Sequence, residues 1–177
     1  IRSFTHPELF SDLFAQIDGT AREIDLIHYN NRYAVNMLNI GFDCAVVAEA
    51  AELKKKPFLT GFMAYIVGVI VVLMRKFGLF LSIDYHNGKK SSGDMLLIAI
   101  ANGCFCGGGF KSAANARLND GLLDVCLAHK LSRIKFLRLV GRYRTGTYLD
   151  TPLGKQYVEY NRCSAVTVFP APGRKID

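Results

Sequence analysis

The stretch of sequence that decides the fold is LFLSIDYHNGKKSSGDMLLIAIAN, residues 79–102. Its two strand-like runs are separated by Asn87-Gly88, a dipeptide typical of the type I′ turn that joins antiparallel strands. The second run, residues 95–101, has almost no polar residue, which indicates a strand that is buried on both faces. We therefore predict a β-hairpin whose second strand lies inside the domain.

Weaker strand patterns lie on both sides of this hairpin. Near the start of the chain, two strand-like segments flank Asn30-Asn31 and predict another hairpin. In chain order, the further predicted strands are residues 23–28, 32–37, 44–47, 121–128 and 164–169.

Three segments have apolar residues at helical spacing. They are residues 6–18, followed by Gly19; residues 60–77, with Thr60 as N-cap and Gly78 after the end; and residues 132–143, capped by Ser132. In the third helix the predicted inward residues are Ile134, Leu137, Val140 and Tyr143, with the basic residues outward. The pattern as a whole predicts a mainly β domain with two or three helices inserted between strands.

One segment approaches the length of a membrane span. Residues 57–74 read PFLTGFMAYIVGVIVVLM, whereas a membrane-spanning helix needs about 20 apolar residues. Because the segment is short and contains Thr60 and several small residues, we predict a helix that is buried in the fold or touches lipid.

Composition and charge narrow the class of protein. The chain has 177 residues, half of them hydrophobic, which suits one compact domain. Lys and Arg outnumber Asp and Glu by 22 to 15, and the formal charge of +7 favours an anionic partner.

A basic stripe without acidic residues consists of Lys130, Arg133, Lys135, Arg138, Arg142 and Arg144. It either faces anionic headgroups or is a solvated helix face. No nucleic-acid recognition motif is visible, so we expect no nucleic acid as partner.

The cysteines indicate neither zinc nor disulfides. Their number is odd, they form no CxxC pair, and the histidines stand apart from them. Buried free thiols in a reducing compartment are therefore expected at Cys44, Cys104, Cys106, Cys126 and Cys163.

The three consecutive glycines, Gly107, Gly108 and Gly109, are followed by Phe110-Lys111-Ser112. This order fails the spacing of both the phosphate-binding P-loop and the dinucleotide-binding glycine motif. The glycines are therefore interpreted as a turn or as part of a site that needs residues from elsewhere.

A second turn follows at Asn119-Asp120-Gly121, directly before a predicted strand. The Asp120 carboxylate can accept a hydrogen bond from a nearby backbone amide, or it can help to bind a hard cation together with backbone carbonyls. The sequence leaves both readings open.

Four motifs occur in one order along the chain. They are Asn39-Ile-Gly-Phe-Asp43, residues 54–61 with Tyr65, Ala101-Asn102 with the three glycines, and ARLNDGLLD at 116–124. From about residue 24 to 169 this succession resembles the bacterial diacylglycerol kinase-like lipid kinases, relatives of sphingosine and ceramide kinases.

The resemblance implies the two-domain diacylglycerol kinase/NAD kinase-like fold. Its N-terminal domain carries a Gly-Gly-Asp-Gly-Thr loop for the ATP phosphates, and its C-terminal β-sandwich with inserted helices binds the lipid. Residues 1–22 then resemble a helical remnant of the nucleotide-binding domain, and residues 23–177 resemble the lipid-binding domain. NAD kinases share this plan, but the LNDGLLDV segment fits the lipid branch better.

The implied activity is ATP-dependent phosphorylation of a hydroxyl of diacylglycerol or a related lipid. No catalytic residue is assigned within the chain, because the ATP loop and the general base, a Glu in an Asp-Gly-Glu segment, are expected outside it. The sequence ends at Asp177, at the start of such a segment. The isolated chain is therefore expected to be inactive. The implied cleft residues are Asn102, Gly107, Gly108 and Gly109.

The resemblance also implies a structural Mg²⁺ bound by the Asp120 carboxylate and the carbonyls of Arg117 and Leu122. Asn119 replaces an Asp seen in many members, which weakens the site.

The expected partners are ATP, a lipid such as diacylglycerol and an anionic membrane surface, and a homodimer is left open. The implied location is cytoplasmic and peripherally membrane-associated. A non-catalytic lipid-binding or interaction module is the alternative.

Overall fold

The computed structural model describes residues 11–55, 58, 61–75, 78–106 and 109–173. In chain order the described elements are α1 (Leu13–Ile17), β1 (Ile27–Tyr29), β2 (Arg32–Ala34), β3 (Met37–Gly41), α2 (Phe42–Leu53), α3 (Gly61–Met74), β4 (Leu79–Asp84), β5 (Lys90–Ala101), β6 (Leu123–His129), α4 (Arg133–Thr145), α5 (Pro152–Tyr157), β7 (Val158–Cys163) and β8 (Thr167–Pro170). A central six-stranded sheet with helices inserted between its strands confirms the predicted class, a mainly β domain.

Strand β5 is the centre of the sheet, whose main path runs β7-β6-β5-β4-β8 with antiparallel neighbours. Along one edge of β5, its first half pairs with β4 and its second half pairs with β3. Along the other edge, β6 pairs with the second half, and the register shifts between Met95 and Leu97. Three segments of the chain are therefore positioned by one strand.

The second half of β5 is buried on both faces, as predicted. Leu97 and Ala99 belong to a core that includes residues of α2, α3 and α4, whereas Ile98 and Ile100 belong to a second core. Burial of a side chain of this size contributes about 1.5–3 kcal/mol. Because successive side chains of β5 point to opposite faces of the sheet, the strand contributes side chains to both cores.

The two predicted hairpins form, but only one has the predicted turn. Asn30 and Asn31 between β1 and β2 have φ of 43° and 59°, as a type I′ turn requires. Between β4 and β5, positive φ occurs at His86 and Gly88 instead, so the two-residue turn predicted at Asn87-Gly88 is wrong. The loop is longer because Tyr85 is buried and the Asp84 carboxylate accepts a hydrogen bond from the His86 amide at 2.9 Å.

The strand predicted at residues 44–47 is wrong, because this segment lies inside α2. Local β-propensity of Val46 and Val47 suggested a strand. The buried residues Phe42, Val46, Ala50 and Leu53 have helical spacing over the whole segment, so tertiary packing favours the helix. The predicted strands at 121–128 and 164–169 correspond to β6 and β8. Strand β7 was not predicted.

Helix α4 begins at its predicted cap, where the Ser132 hydroxyl accepts a hydrogen bond from the Lys135 amide at 3.4 Å. Its predicted inward face is partly wrong. Leu139 and Tyr143 are buried, but Ile134 and Leu137 are 66% and 62% exposed. The helix is therefore rotated relative to the prediction, and two apolar side chains face outward.

Helix α3 packs closely against α2. A Cβ added at Gly68 would lie 3.2 Å from the Val46 carbonyl oxygen, which shows how near the two backbones approach. The predicted cap Thr60 lies outside the described residues. Among the described residues, no helix has the length and apolarity required to cross a membrane.

We predict that Gly154→Ala strongly destabilises the fold. A Cβ at this buried position of α5 would lie 1.7 Å from the Tyr148 carbonyl oxygen, so the backbone must shift. We expect a loss of about 3 kcal/mol in the free energy of unfolding, measured by chemical denaturation. The control is Gly141→Ala in α4, where an added Cβ would lie more than 4 Å from every atom outside the neighbouring helix backbone, and where a gain of roughly 0.5–1 kcal/mol is expected. Similar changes in the free energy of unfolding for the two substitutions would contradict the close packing of Gly154 against Tyr148.

Candidate functional site

A cavity of about 630 Å³ lies between the helices α2, α3 and α4 and the middle of β5. Most of its wall is apolar, including Phe42, Val47, Val69, Leu97, Phe136 and Val140. Ligand cavities of proteins have volumes in the range of roughly 300–1,000 Å³ and combine apolar walls with a few polar groups. The polar residues here are Asn39, Asp43, Tyr65, Tyr143 and Arg144, beside the thiols of Cys44 and Cys106.

The junction of β3 and α2 forms one end of the cavity. Gly41 has a φ of 107°, and a Cβ there would lie 2.6 Å from the Leu96 carbonyl oxygen, so only glycine fits. The helix starts at the next residue, and the Cys44 thiol donates a hydrogen bond to the Asn39 carbonyl at 3.0 Å. Asn39, before this junction, and Asp43, after it, both line the cavity.

Helices α3 and α4 form two further walls and are connected differently at their two ends. Arg133 of α4 donates hydrogen bonds to the carbonyls of Leu73 and Met74, at 2.9 and 2.6 Å, at the end of α3. At the opposite end, the ring of Phe110 lies between those of Tyr65 and Tyr143, with centroid distances of 6.4 and 6.2 Å. One end is therefore held by hydrogen bonds and the other by ring contacts.

Burial changes the proton affinities of the groups around the cavity. It raises the pKa of the Asp43 carboxyl to about 6. Burial, reinforced by the nearby Asp43 carboxyl, raises the pKa of the Tyr65 hydroxyl to about 12 and that of the Cys106 thiol to about 11. At neutral pH the phenol and the thiol are therefore uncharged, and Asp43 is the acidic group that ionises.

Two of the predicted cleft residues, Asn102 and Gly109, lie between the end of β5 and Phe110, which lines the cavity. Asn102 is buried, and its side-chain amide donates hydrogen bonds to the carbonyls of Asp25 and Val35, at 2.6 and 3.1 Å. It thereby joins the segment before β1 and the segment after β2 to the sheet. Gly109 has a φ of 79°, while Gly107 and Gly108 lie outside the described residues. A cleft role for these residues stays a prediction.

The turn at Asn119-Asp120-Gly121 forms as predicted, with Gly121 at a φ of 68°. Asp120 accepts a hydrogen bond from the Leu122 amide at 3.2 Å through Oδ1, and its Oδ2 pairs with the Arg162 guanidinium. The Asp25 carboxylate accepts a hydrogen bond from the Gly121 amide at 2.8 Å. Within the described residues, no three His, Cys, Asp or Glu side chains are grouped as metal ligands.

A buried carboxyl lies beside this turn. Asp124 is fully buried, accepts a hydrogen bond from the Tyr160 hydroxyl at 2.7 Å, and lies 3.5 Å from the Arg162 guanidinium. Burial raises its pKa, and the hydrogen bond from Tyr160 and the charge of Arg162 oppose that rise. The single guanidinium of Arg162 therefore interacts with the carboxyl groups of both Asp120 and Asp124.

Sequence reasoning missed Arg162 and the roles of Asn39 and Asp43. The segment Asn39-Ile-Gly-Phe-Asp43 contained the available signal, because its two polar residues stand among apolar ones on both sides of a glycine. For Arg162 there was no comparable signal, since it reaches Asp120 only after β7 has paired with β6.

The basic residues of the stripe fall into two groups, three that contact other described residues through their side chains and three that form no ion pair among the described residues. Lys130 pairs with Asp94 at 3.7 Å, Arg133 caps α3, and the Lys135 ammonium lies over the Tyr157 ring. The remaining three, Arg138, Arg142 and Arg144, are exposed and form no ion pair with any residue that the structure describes.

We predict that Asp43→Asn changes how stability depends on pH. The pKa of Asp43 is raised from 3.8 to about 6, so the folded state binds this proton more tightly than the unfolded state does. Stability of the wild type is then lost as the pH rises between these values, by up to about 3 kcal/mol. Relative to the wild type, Asp43→Asn should gain stability over this window in denaturation measured from pH 4 to 7.5. Exposed Glu52→Gln is the control, and parallel profiles for Asp43→Asn and wild type would contradict the burial of this carboxyl.

Proteins of known sequence that resemble the chain are named as lipid kinases. A "Probable lipid kinase YegS-like" of Pseudomonas aeruginosa is 33% identical over 119 residues, which cover 64% of this chain and 36% of that protein. The Shewanella frigidimarina protein of the same name is 36% identical over 127 residues, covering 69% and 38%. The Bacillus subtilis "Diacylglycerol kinase" is 25% identical over 152 residues, covering 86% and 48%. The chain thus spans less than half the length of these relatives.

Solved structures show the same fold. The crystal structure of a putative diacylglycerol kinase from Bacillus anthracis superposes with a TM-score of 0.60 at 17% identity, covering 88% of this chain and 48% of that one.

Residues 36–173 match the family described as "YegS C-terminal NAD kinase beta sandwich-like domain". This match confirms the β-sandwich class and the resemblance to the diacylglycerol kinase-like lipid kinases. Because it spans most of the chain, the protein belongs to the YegS C-terminal NAD kinase beta sandwich-like domain family.

Proposed function

We propose that this chain is the lipid-binding part of an ATP-dependent lipid kinase, which phosphorylates a hydroxyl of diacylglycerol or a related lipid. The cavity between α2, α3 and α4 carries this proposal, because its wall is mostly apolar, its volume is large enough for a lipid chain, and the exposed Arg144 is among its lining residues. The names of the relatives support the kinase reaction. The residues of this chain bind and orient the lipid, and the phosphoryl group comes from ATP on another domain.

The surface around the cavity suits an anionic membrane. One face of α3 exposes Met63, Ile66, Ile70 and Met74, which recur at helical spacing, and Ile66 also lines the cavity. Of the three unpaired arginines of α4, Arg144 lines the cavity, and each basic residue near an anionic surface contributes about 1 kcal/mol. Apolar side chains would contact the lipid and the arginines its headgroups, as expected for a peripheral protein on the cytoplasmic leaflet.

Helix α1 is proposed to belong to the nucleotide-binding domain. Its residues Leu13, Phe14 and Ile17 are 70–77% exposed, and none of its residues is buried. Three exposed apolar side chains on one short helix are a surface that another domain can cover. We therefore propose residues 1–22 as part of that domain and residues 23–177 as the lipid-binding domain.

We predict that filling the cavity weakens lipid binding. Ala48 of α2 lines the cavity, so Ala48→Trp should lower the affinity for vesicle-borne diacylglycerol by about tenfold or more, because the indole takes the space of the lipid chain. The control is Ala51→Trp, an exposed position of the same helix outside the cavity. Co-sedimentation with vesicles measures the effect. Equal loss in both variants, or in neither, would contradict the cavity as the binding site.

We predict that the isolated chain binds diacylglycerol but does not phosphorylate it, because no Gly-Gly-Asp-Gly-Thr sequence occurs in it. With Mg²⁺ and labelled ATP, no phosphatidic acid above background should form. Product formation would show that the catalytic groups lie within these residues. A whole protein that lacks the Gly-Gly-Asp-Gly-Thr loop would favour the alternative, a non-catalytic lipid-binding module.

We also propose weak binding of Mg²⁺ at the Asp120 turn. One carboxylate and the backbone carbonyls of Arg117 and Leu122 form an oxygen donor set of the kind that Mg²⁺ accepts. The guanidinium of Arg162 already pairs with the Asp120 carboxylate, so it competes with the cation for that group. Bound Mg²⁺ would neutralise charge at the turn and tie it to the start of β6.

We predict that Mg²⁺ raises the melting temperature of the wild type by about 3 °C at a concentration tenfold above its dissociation constant. Asp120→Asn should remove this shift, whereas Arg162→Met should enlarge it because the competing cation is gone. Asp124→Asn, the matched control, should change the shift less. Melts of each variant with and without Mg²⁺ provide the measurement, and identical shifts in all four proteins would exclude the site.

A further inference from the structure

Helix α4 has an apolar strip that is directed away from the core. Ile134 and Leu137 are 66% and 62% exposed, and together with the exposed Gly141 they recur at positions i, i+3 and i+7, which lie on one face of a helix. The buried residues of the helix, Leu139 and Tyr143, lie on its other face. The strip is therefore a second apolar face of α4, and the packing of the domain does not account for it.

Arginines flank this strip on both sides. On a helix of 3.6 residues per turn, Arg138 and Arg142 lie along one side of the strip, and Arg144 lies along the other. All three are exposed and form no ion pair within the part of the chain that the structure describes. The sequence has no acidic residue between positions 130 and 149, so only positive charge borders the strip.

The strip starts beside the exposed apolar face of α3. Arg133, at the start of α4, donates hydrogen bonds to the carbonyls of Leu73 and Met74 at 2.9 and 2.6 Å, which brings the start of the strip next to the end of α3. At the other end of the strip, Gly141 lines the cavity, as does Ile66 of the α3 face. The two apolar faces therefore both reach the cavity.

The charges of the three helices around the cavity are distributed unequally. Helix α3 contains no charged residue, and the charged residues of α4 are all basic. The acidic residues lie on α2, where Glu49 pairs with Arg75 at 2.8 Å. Glu52 pairs with Lys55 at 2.7 Å. An apolar strip flanked by unpaired arginines is the pattern of an interfacial helix, whose apolar residues enter the boundary between headgroups and acyl chains while its basic residues contact anionic lipids.

We propose that α4 is an interfacial helix, in which Ile134 and Leu137 enter the headgroup boundary of an anionic bilayer while Arg138 and Arg142 bind its headgroups. The α3 face lies against the same bilayer, so the domain is oriented with the cavity residue Gly141 at the membrane surface. The proposal rests on the lipid-binding function proposed for the cavity. It adds the helix that docks and the lipid charge that the helix selects.

The test uses vesicles without diacylglycerol, so that filling of the cavity does not contribute. The full 177-residue chain should co-sediment with vesicles of phosphatidylcholine and phosphatidylglycerol in equal parts, and should bind pure phosphatidylcholine at least about tenfold more weakly. Ile134→Ser combined with Leu137→Ser should lower the partition into the mixed vesicles by about tenfold. The matched control, Leu13→Ser combined with Phe14→Ser, removes a comparably exposed apolar pair from α1 and should change the partition by less than about twofold.

A second pair of variants tests the role of charge. Arg138→Gln combined with Arg142→Gln should lower the partition into the mixed vesicles by about tenfold and weaken its dependence on salt. Arg22→Gln combined with Arg32→Gln removes the same two charges from the net charge of +7 at exposed positions outside α4. This control should change the partition by less than about threefold, because its charges lie away from the bilayer.

An introduced fluorophore measures insertion directly, since the chain contains no tryptophan. Leu137→Trp should show an emission shift to shorter wavelength on the mixed vesicles, and quenching by lipids that are brominated on their acyl chains. Leu13→Trp should show neither effect. Circular dichroism verifies that each variant folds, and the exposure of both positions makes the tryptophan variants independent of core packing.

The outcomes separate this proposal from the one on which it rests. Equal losses in the α4 and α1 serine variants would overturn α4 as the docking helix, and so would an unquenched Leu137→Trp, which would leave a protein as the partner of the strip. Equal binding to mixed and pure vesicles would overturn the choice of an anionic lipid. Isothermal titration with soluble dihexanoylglycerol tests the cavity without a membrane. If the wild type binds dihexanoylglycerol but not the mixed vesicles, the docking helix fails and the lipid cavity stands, whereas the reverse result would overturn the cavity.

Discussion

Strand β5 contacts two hydrophobic cores at once, and the rest of the domain depends on that arrangement. Leu97 packs on the side of the helices, and Ile98 packs on the opposite side. A shift of the strand by one residue would exchange these faces, so that each core would receive the side chains that now pack in the other. Because β3, β4 and β6 all pair with β5, its register determines where each of them lies.

The same strand positions both regions that the proposals concern. Leu97, in its second half, forms part of the cavity wall and pairs in register with Gly41, the residue that starts the turn into α2. At its end, Ala101 pairs with Asp124, so the turn that contains Asp120 begins beside it. A substitution that disturbs β5 would therefore disturb the cavity and the Asp120 turn together, although they lie at different places on the sheet.

Local signals predicted part of the fold from sequence. The cap at Ser132, the turn at Asn30-Asn31 and the apolar run of β5 depend on neighbouring residues, and they form as predicted. Helix α2 was missed because its helical form depends on packing against α3, whose Gly68 allows the close approach. Strand β7 was not predicted, because three of its six residues, Glu159, Asn161 and Arg162, are polar or charged, and the sequence of the strand therefore shows no clear apolar pattern.

In the candidate sites too, features formed by neighbouring residues were predictable, and features formed by distant segments were not. The turn at Asp120 was predictable because Gly121 and the Leu122 amide form it locally. Its partner Arg162 lies 42 residues further along the chain, and only the pairing of β6 with β7 brings the two together. The cavity was not predictable, because its polar residues include Asn39 of β3, Asp43 of α2 and Tyr143 of α4, which are distant in sequence.

The hydrogen bonds from Arg133 to the last carbonyls of α3 have a mechanical consequence. They fasten the end of α3 to the start of α4, where the guanidinium also offsets the negative end of the helix dipole. At the far end, the ring of Phe110 contacts those of Tyr65 in α3 and Tyr143 in α4, and such contacts have no fixed donor and acceptor. Loss of the Arg133 side chain would therefore free the end of α3 from the start of α4, while the ring contacts at the other end of the two helices would remain.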